Sequence, residues 1–260
     1  MTMSKTLIFI HGFRGTHHGL ELIAKEFKGF RIIIPDLPGF AEGDHLETYN
    51  LASYVEWLHV FIKEQKLETP PILLGHSFGT IISAAYVAKY PATIEKLILV
   101  NPIGAPALQG PRALATRLTE FYYWVGKQLP NKLSEKWLAS RTIVLVMGKL
   151  MIKTKDKKLR DFINDQHLRY FSLFHNKQSI AESFTTSISH NVSESAPEIK
   201  IPTLIIAGAE DDITPLSKQR ELQKLFNDAQ LEVIEGVGHL THYETPKDVA
   251  RFVQDFIRLV

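Results

Sequence analysis

Cysteine is absent from this chain of 260 residues, which excludes disulfide bonds, cysteine nucleophiles and thiolate metal sites. An excess of charge of one sign is missing as well. The 30 Lys and Arg residues face 28 Asp and Glu residues, and this near balance argues against a nucleic acid as the partner.

Long hydrophobic runs are also missing. The apolar run closest to the N-terminus, residues 7–10, is four residues long. A secretory signal needs an apolar stretch of about 7–15 residues, and a membrane span needs about 20. We therefore expect a cytoplasmic protein without a transmembrane segment.

The composition is otherwise ordinary for a globular protein, with 45% hydrophobic and 22% charged residues. Short apolar runs alternate with amphipathic, helix-like segments. Near-continuous apolar runs are typical of strands buried on both faces of a parallel sheet. The pattern predicts an α/β fold with an open, mainly parallel sheet of about six strands flanked by helices. The apolar runs are residues 7–10, 31–34, 71–74, 96–100, 203–207 and 231–234.

This alternation stops between residues 103 and 200, where the pattern indicates successive helices. Residues 143–147 (Ile-Val-Leu-Val-Met) allow a strand, but the apolar pattern around them favours a buried helix. Open α/β sheets bind ligands at the carboxyl ends of their strands, so we expect the insertion to form a cap over that edge. The predicted division is a core at residues 1–102 and 201–260 and an all-helical cap at residues 103–200.

The predicted cap is basic, since residues 104–200 contain 15 Lys and Arg against 8 Asp and Glu. For its densest cluster we favour a solvated helix face, with an anionic substrate or an anionic membrane surface as the alternatives. That cluster comprises Lys149, Lys153, Lys155, Lys157, Lys158 and Arg160.

A candidate nucleophile lies in residues 75–79 (Gly-His-Ser-Phe-Gly), directly after the apolar run 71–74 and before a helix-like segment. This is a Gly-x-Ser-x-Gly motif at a sharp strand-to-helix turn, the context in which such a serine is a nucleophile. The bland alternative is that Ser77 only caps the helix.

A serine hydroxyl needs a base, and five histidines follow Ser77 in the sequence. His239 is favoured because it follows the predicted strand 231–234 and so lies at the same sheet edge as Ser77. His242, three residues later, is the alternative. The other three fall in the predicted cap, at His167, His175 and His190.

An acid that orients the base is expected after the apolar run 203–207, in residues 208–215 (Gly-Ala-Glu-Asp-Asp-Ile-Thr-Pro). Glu210, Asp211 and Asp212 are all candidates, and Asp212 or Glu210 could instead cap the following helix. The other suitable position, after the run 96–100, holds Asn101, which cannot carry the charge.

We expect neither a cofactor nor a metal. His17 and His18 with His11, or His239 with His242, are conceivable ligand sets, but neither has a convincing third partner. A glycine-rich dinucleotide or phosphate loop is absent from the predicted strand–helix junctions.

Along nearly its whole length the chain resembles the α/β-hydrolase fold superfamily, in its serine-nucleophile branch with a helical cap. The resemblance rests on His11-Gly12, the Gly-x-Ser-x-Gly motif, the acidic loop 208–215 and residues 236–239 (Gly-Val-Gly-His). It implies a catalytic triad of Ser77, Asp211 and His239, with Asp212 as the alternative acid. It also implies an oxyanion hole formed by the backbone N–H groups of Phe13 and Phe78.

The chain also departs from the family pattern. In the loop 36–43, Ala41 and Gly43 stand where the family has Gly and Ser. Many members have two further strands before the His-Gly strand, so we expect a reduced sheet here. Ser77 rather than Asp at the nucleophile position argues against haloalkane dehalogenase or epoxide hydrolase chemistry.

The expected function is hydrolysis of a small to medium carboxylic ester through an acyl-enzyme. The alternatives are an amide, thioester or C–C bond hydrolase with the same triad, or a non-catalytic binding or receptor protein on this fold. Apolar clusters in the cap, which we expect to be too large to lie exposed, predict a hydrophobic substrate with a medium-sized acyl group. The competing interpretation is that they build only the cap's own core. These clusters are residues 121–124, 143–147 and 170–171.

Overall fold

Six parallel strands form one open sheet with the order β2-β1-β3-β4-β5-β6. The computed structural model describes residues 5–106 and 113–258, and the side chains of these residues except those of 113–116. The predicted parallel sheet of about six strands is confirmed. The strands are β1 (Thr6–Ile10), β2 (Arg31–Ile33), β3 (Ile72–His76), β4 (Lys96–Val100), β5 (Thr203–Gly208) and β6 (Ala229–Ile234).

The helices lie between these strands and in one long insertion. In chain order they are α1 (Glu21–Ala24), α2 (Leu51–Glu64), α3 (Phe78–Lys89), α4 (Ala113–Gln128), α5 (Asn131–Leu138), α6 (Arg141–Met151), α7 (Lys157–Tyr170), α8 (Lys177–Ser189), α9 (Leu216–Gln223), α10 (Thr241–Glu244) and α11 (Pro246–Arg258).

The apolar runs read from the sequence are explained by helices on both faces of the sheet. β1, β3, β4 and β5 are buried at every position, whereas the edge strands β2 and β6 are only partly buried. Successive residues of β3 belong to different cores, because side chains alternate across a strand. Leu73 packs in the core that includes Tyr54 of α2 and Ile82 of α3, whereas Leu74 packs in the one that includes Val253 of α11.

Between β4 and β5 the chain forms the five helices α4–α8, and none of the described residues in this segment adds a strand to the sheet. The predicted helical insertion is therefore confirmed. Residues 143–147 lie within α6, as the apolar pattern favoured. A single isolated antiparallel bridge, from Phe40 to Phe174, joins this segment to a core loop.

Part of the cap's apolar surface faces solvent, so the expectation that these clusters are too large to lie exposed is wrong. Tyr123 and Val144 are buried, but Phe121 and Trp124 are 60% and 58% exposed. The reason is the helical period, which places neighbouring residues of one apolar run on opposite faces of α4.

Arg14, in the loop after β1, joins the core to the cap. Its guanidinium donates to the carbonyls of Phe171 and Leu138, at 2.8 Å each, and to the Tyr123 hydroxyl at 3.2 Å. Arg14 is buried and has a positive φ of 59°. Since its partners lie on α4, on α5 and just after α7, one side chain holds three parts of the cap against the loop that follows β1.

Candidate active site

Ser77 occupies the sharp turn between β3 and α3. Its φ of 52° lies in the left-handed region that non-glycine residues avoid, so the turn is strained. The glycines on either side allow the close packing that holds this turn. A Cβ at Gly79 would lie 2.3 Å from the carbonyl oxygen of Ile10, and one at Gly75 would lie 2.6 Å from the carbonyl oxygen of Gly79.

Three side chains from three loops at the carboxyl edge of the sheet form one hydrogen-bonded chain. His239 Nε2 lies 2.8 Å from Ser77 Oγ, and His239 Nδ1 lies 2.8 Å from Asp211 Oδ2. An ionised carboxylate can only accept, so Nδ1 donates to Asp211 and Nε2 is left to accept the Ser77 hydroxyl proton. This is the arrangement of a nucleophile, a base and an orienting acid.

Asp211 is held by its own loop as well as by His239. Its Oδ1 accepts from the amides of Ile213 and Thr214 at 2.7 and 2.9 Å, and its Oδ2 accepts from the Thr214 hydroxyl at 2.5 Å. Burial favours the neutral carboxyl, but His239 and the Thr214 hydrogen bonds outweigh it and hold the pKa of Asp211 well below its ordinary value. Asp211 is therefore a carboxylate at neutral pH.

The neighbouring carboxylates of this loop are more exposed than Asp211. Asp212 Oδ2 lies 2.5 Å from Lys153 Nζ, in the segment between α6 and α7, and the Asp212 side chain is 61% exposed. Glu210 is exposed. Neither caps the next helix, because the N-cap position of α9 is Pro215 and no side chain bonds there. Asp211 is the acid whose carboxylate lies 2.8 Å from His239 Nδ1.

Asn101 is part of this network. From the sequence, it was noted only as a residue that cannot serve as the acid. Its Nδ2 donates to Asp211 Oδ2 at 2.7 Å and to the Gly238 carbonyl at 3.2 Å, and its Oδ1 accepts from the Thr241 hydroxyl at 2.6 Å. Asn101 thus connects the ends of β4 and β5 to the loop that carries His239. The sequence feature that could have identified Asn101 is its position directly after β4.

The alternative base, His242, is buried with its ring centroid 4.1 Å from that of His76. Burial lowers the pKa of His242, and burial together with nearby His239 lowers the pKa of His76 to about 3. Both rings are therefore neutral at ordinary pH. His76 Nε2 donates to the His239 carbonyl at 3.2 Å, and this hydrogen bond supports the backbone at His239.

The three cap histidines have other surroundings. His167 is buried on α7, and burial lowers its pKa to about 4. His175 Nε2 contacts the Ala41 carbonyl at 3.1 Å, and His190 Nδ1 contacts Glu194 at 2.9 Å. Among the described residues, the histidine that is hydrogen-bonded to Ser77 Oγ is His239.

The two backbone amides predicted to form an oxyanion hole flank Ser77. Phe78 is the first residue of α3, and an amide at that position has no acceptor within its own helix. Phe13 follows Gly12, where a Cβ would lie 3.2 Å from Ser77 Cβ. An amide at a helix N-terminus also favours negative charge, so this region suits a developing oxyanion.

A cavity of about 590 Å³ opens at Ser77 and His239, between the core and the cap. Its lining is mainly apolar, and both parts of the chain contribute to it. Representative lining residues are Phe13, Ile103, Met147, Met151, Phe184 and Ile188.

The histidines considered as metal ligands do not form either of the two ligand sets considered from the sequence. His11 Nε2 accepts from the Leu37 amide at 2.8 Å, so it is occupied within the core. Among the described residues, His17, His18 and Glu21 offer ligand atoms within 4.8 Å of one another. His18 Nδ1 already bonds Glu21 at 2.7 Å, and His239 bonds Ser77 and Asp211 rather than joining His242.

Comparison with known proteins agrees with this fold. A family model for the alpha/beta hydrolase fold matches residues 5–246. The chain belongs to this family, and it is a hydrolase.

Two relatives illustrate the similarity in sequence. Lipase 1 of Psychrobacter immobilis is 28% identical over 249 residues, which cover 94% of this chain and 74% of that protein. Monoacylglycerol lipase ABHD6 of Rattus norvegicus is 26% identical over 268 residues, covering 98% of this chain and 76% of that one.

Solved structures show the same fold at lower identity. An esterase from Exiguobacterium antarcticum superposes with a TM-score of 0.81 at 18% identity, over 99% of this chain and 93% of that one. A thermophilic esterase from Thermogutta terrifontis gives a TM-score of 0.79 at 19% identity, over 98% and 90%. Within the described residues, no helix combines the length and apolarity needed to cross a membrane.

The low pKa of Asp211 predicts how stability depends on pH. Because the pKa is lower in the folded chain than its ordinary value of 3.8, the carboxylate stabilises the fold above that pH and progressively less below it. Between about pH 6 and pH 3, wild type should lose on the order of 1 kcal/mol of unfolding free energy more than Asp211→Asn. Urea unfolding at each pH measures the difference. Asp212→Asn is the matched control and should follow wild type; equal slopes for all three proteins would contradict the prediction.

Proposed function

We propose that this hydrolase cleaves carboxylic esters of small to medium size through Ser77, His239 and Asp211. The observation that supports the proposal is the continuous hydrogen-bonded chain from the Ser77 hydroxyl through His239 to Asp211. The relatives named above as lipases and an esterase favour ester bonds over the amide, thioester or C–C bonds that the same residues could attack.

In the proposed reaction, Ser77 Oγ attacks the ester carbonyl while His239 Nε2 takes the hydroxyl proton. The amides of Phe13 and Phe78 then donate to the developing oxyanion. His239 returns the proton to the leaving alcohol, and an acyl group remains on Ser77. Water activated by His239 releases the acid in the second half of the reaction.

Asp211 acts by electrostatics in this scheme. Its negative charge stabilises the imidazolium that forms on His239 and selects the tautomer with a free Nε2. Asn101 acts through Asp211 as a positioning residue, since it donates to the same carboxylate oxygen that His239 contacts. A purely binding protein would not require this buried carboxylate or the strained turn at Ser77, so we place the enzymatic function first.

We also propose that the chain divides functionally into a catalytic core, residues 1–102 and 201–260, and a cap, residues 103–200. The three triad residues lie in the core. The cap supplies the roof of the cavity through side chains such as Met147 and Phe184. Substrate selection is therefore assigned to the cap and bond cleavage to the core.

The nucleophile is tested with Ser77→Ala. Because the triad acts as a unit, hydrolysis of p-nitrophenyl butyrate should fall by at least about 10³-fold, with the fold intact by circular dichroism. Covalent labelling by a fluorophosphonate should disappear in the same variant. Ser83→Ala, a buried serine on the same helix α3, is the control and should keep both activity and labelling. Unchanged turnover in Ser77→Ala would refute the assignment.

The acid is tested by comparing two adjacent carboxylates. Asp211→Asn should lower kcat by about 10³–10⁴-fold, because the amide can impose the wrong tautomer on His239. Asp212→Asn removes an exposed ion pair with Lys153 and should change kcat by less than about threefold. The opposite order would assign the acid to Asp212.

The apolar cavity predicts a preference for medium-sized acyl groups over acetyl. Each buried methylene contributes about 0.8 kcal/mol, so kcat/KM should rise about fourfold per methylene until the pocket is full. The series is p-nitrophenyl acetate, butyrate, hexanoate and octanoate, corrected for spontaneous hydrolysis. A profile that is flat, or that falls steadily from acetate, would show that the cap's apolar residues build only its own core.

A further inference from the structure

Exposed large apolar side chains are concentrated on three cap helices. Thirteen such side chains are more than a third exposed in the described part of the chain, and eight of them lie on α4, α5 and α6. We call these eight the cap patch: Leu118, Phe121, Trp124, Leu133, Trp137, Leu145, Val146 and Leu150. Isolated surface hydrophobics are ordinary, but a concentration of this kind marks an interaction surface.

The aromatic members of the cap patch each pack on another aromatic ring of the cap. The rings of Phe121 and Trp124 stack with their centroids 5.8 Å apart and an interplanar angle of 22°. Trp137 packs on Tyr122 at 5.5 Å, and its Nε1 donates to the Tyr122 carbonyl at 3.0 Å. Two of the protein's three tryptophans thus lie on this surface, at 58% and 40% exposure.

Basic side chains lie on the same helices as the cap patch. On α4–α6 there are six exposed Lys and Arg residues and two acids, Glu120 and Glu135. In the portion of the molecule with described side chains, none of the six cations has a carboxylate within ion-pair distance. The cations are Arg117, Lys127, Lys132, Lys136, Arg141 and Lys149.

The basic cluster found in the sequence is divided by the structure. Lys149 lies on α6 beside Leu150, but Lys153 is paired with Asp212 and Lys157 is paired with Asp161. Solvation and local ion pairs therefore account for the second half of the cluster. Lys155, Lys158 and Arg160 are exposed to solvent, and Lys149, which has no ion pair among the described side chains, lies on a helix that also carries part of the cap patch.

We propose that the exposed apolar and basic side chains of α4–α6 dock on an anionic lipid surface. Amphipathic helices with Trp, Phe and Leu beside Lys and Arg bind at the boundary between headgroups and acyl chains. Tryptophan favours that boundary, and basic residues are attracted to anionic headgroups. A second copy of this chain fits less well, because a symmetric contact would bring two basic patches together.

Docking at this surface would bring lipid next to the wall of the cavity. Thr119 of α4 and Met147 and Met151 of α6 line the cavity, and these same helices carry the cap patch. The proposal does not depend on catalysis by Ser77. Membrane docking and ester hydrolysis can therefore fail independently of each other.

Tryptophan fluorescence provides a direct test, since Trp57 is buried and Trp124 and Trp137 are exposed. The full-length chain is mixed with vesicles of equal parts phosphatidylcholine and phosphatidylglycerol. The emission should shift to shorter wavelength, and brominated lipid should quench it. Ser77→Ala should give the same result as wild type, whereas vesicles of phosphatidylcholine alone should bind at least about tenfold more weakly.

Matched variants show whether the cap patch is responsible. Phe121→Ser with Trp124→Ser should lower the vesicle partition coefficient by about tenfold or more in a sedimentation assay. Val60→Ser with Leu225→Ser removes two exposed apolar side chains from the core surface and should bind as wild type does. Because all four side chains are already exposed, both variants are expected to fold.

Three results would overturn the proposal. They are no vesicle binding by wild type, equal binding by the cap-patch variant, and binding that is independent of phosphatidylglycerol. Light scattering without vesicles tests whether a second copy of the chain binds at the cap patch instead. A wild-type dimer that becomes monomeric in the cap-patch variant would assign this surface to a second copy of the chain instead.

Discussion

The buried carboxylate of Asp211 is the interaction on which the candidate site depends. It accepts hydrogen bonds from its own loop, from Asn101 after β4 and from His239 after β6. A buried charge is costly unless hydrogen bonds and an opposing charge compensate it. Here the compensation comes from three neighbouring strand ends, so the same contacts that keep the carboxylate ionised also set the position of His239.

The strained serine turn is supported in a comparable way. Ser77 adopts a positive φ only because β3, α3 and the carbonyl end of β1 pack so closely that glycine alone fits at Gly75 and Gly79. The strain at Ser77 and the tight packing at its glycines are thus consequences of one backbone arrangement.

The cap combines two kinds of surface. Met147 and Phe184 line the cavity, and Arg14 fixes the cap to the loop after β1. On α4, Phe121 and Trp124 are exposed instead. A helix buries only a stripe of its surface, so an apolar run longer than that stripe must expose part of itself.

Much of this protein was predictable from the sequence alone. Apolar runs without alternation indicated a parallel sheet, because only strands covered on both faces need no polar side. Ser77 directly follows β3 and His239 lies in the loop after β6, so the sequence predicted both at one edge of the sheet, where the carboxyl ends of parallel strands meet. These inferences depend on local pattern and on the geometry of parallel sheets.

Other features were decided only by the tertiary structure. Three consecutive acids look alike in sequence, and it is the turn after β5 that aims Asp211 at His239 and Asp212 at Lys153. Asn101 and Arg14 gained their roles from partners more than a hundred residues away. The sequence also did not determine which face of α4 is buried. Apolar composition indicates how much surface can be buried, but packing against neighbouring elements decides which side chains are buried.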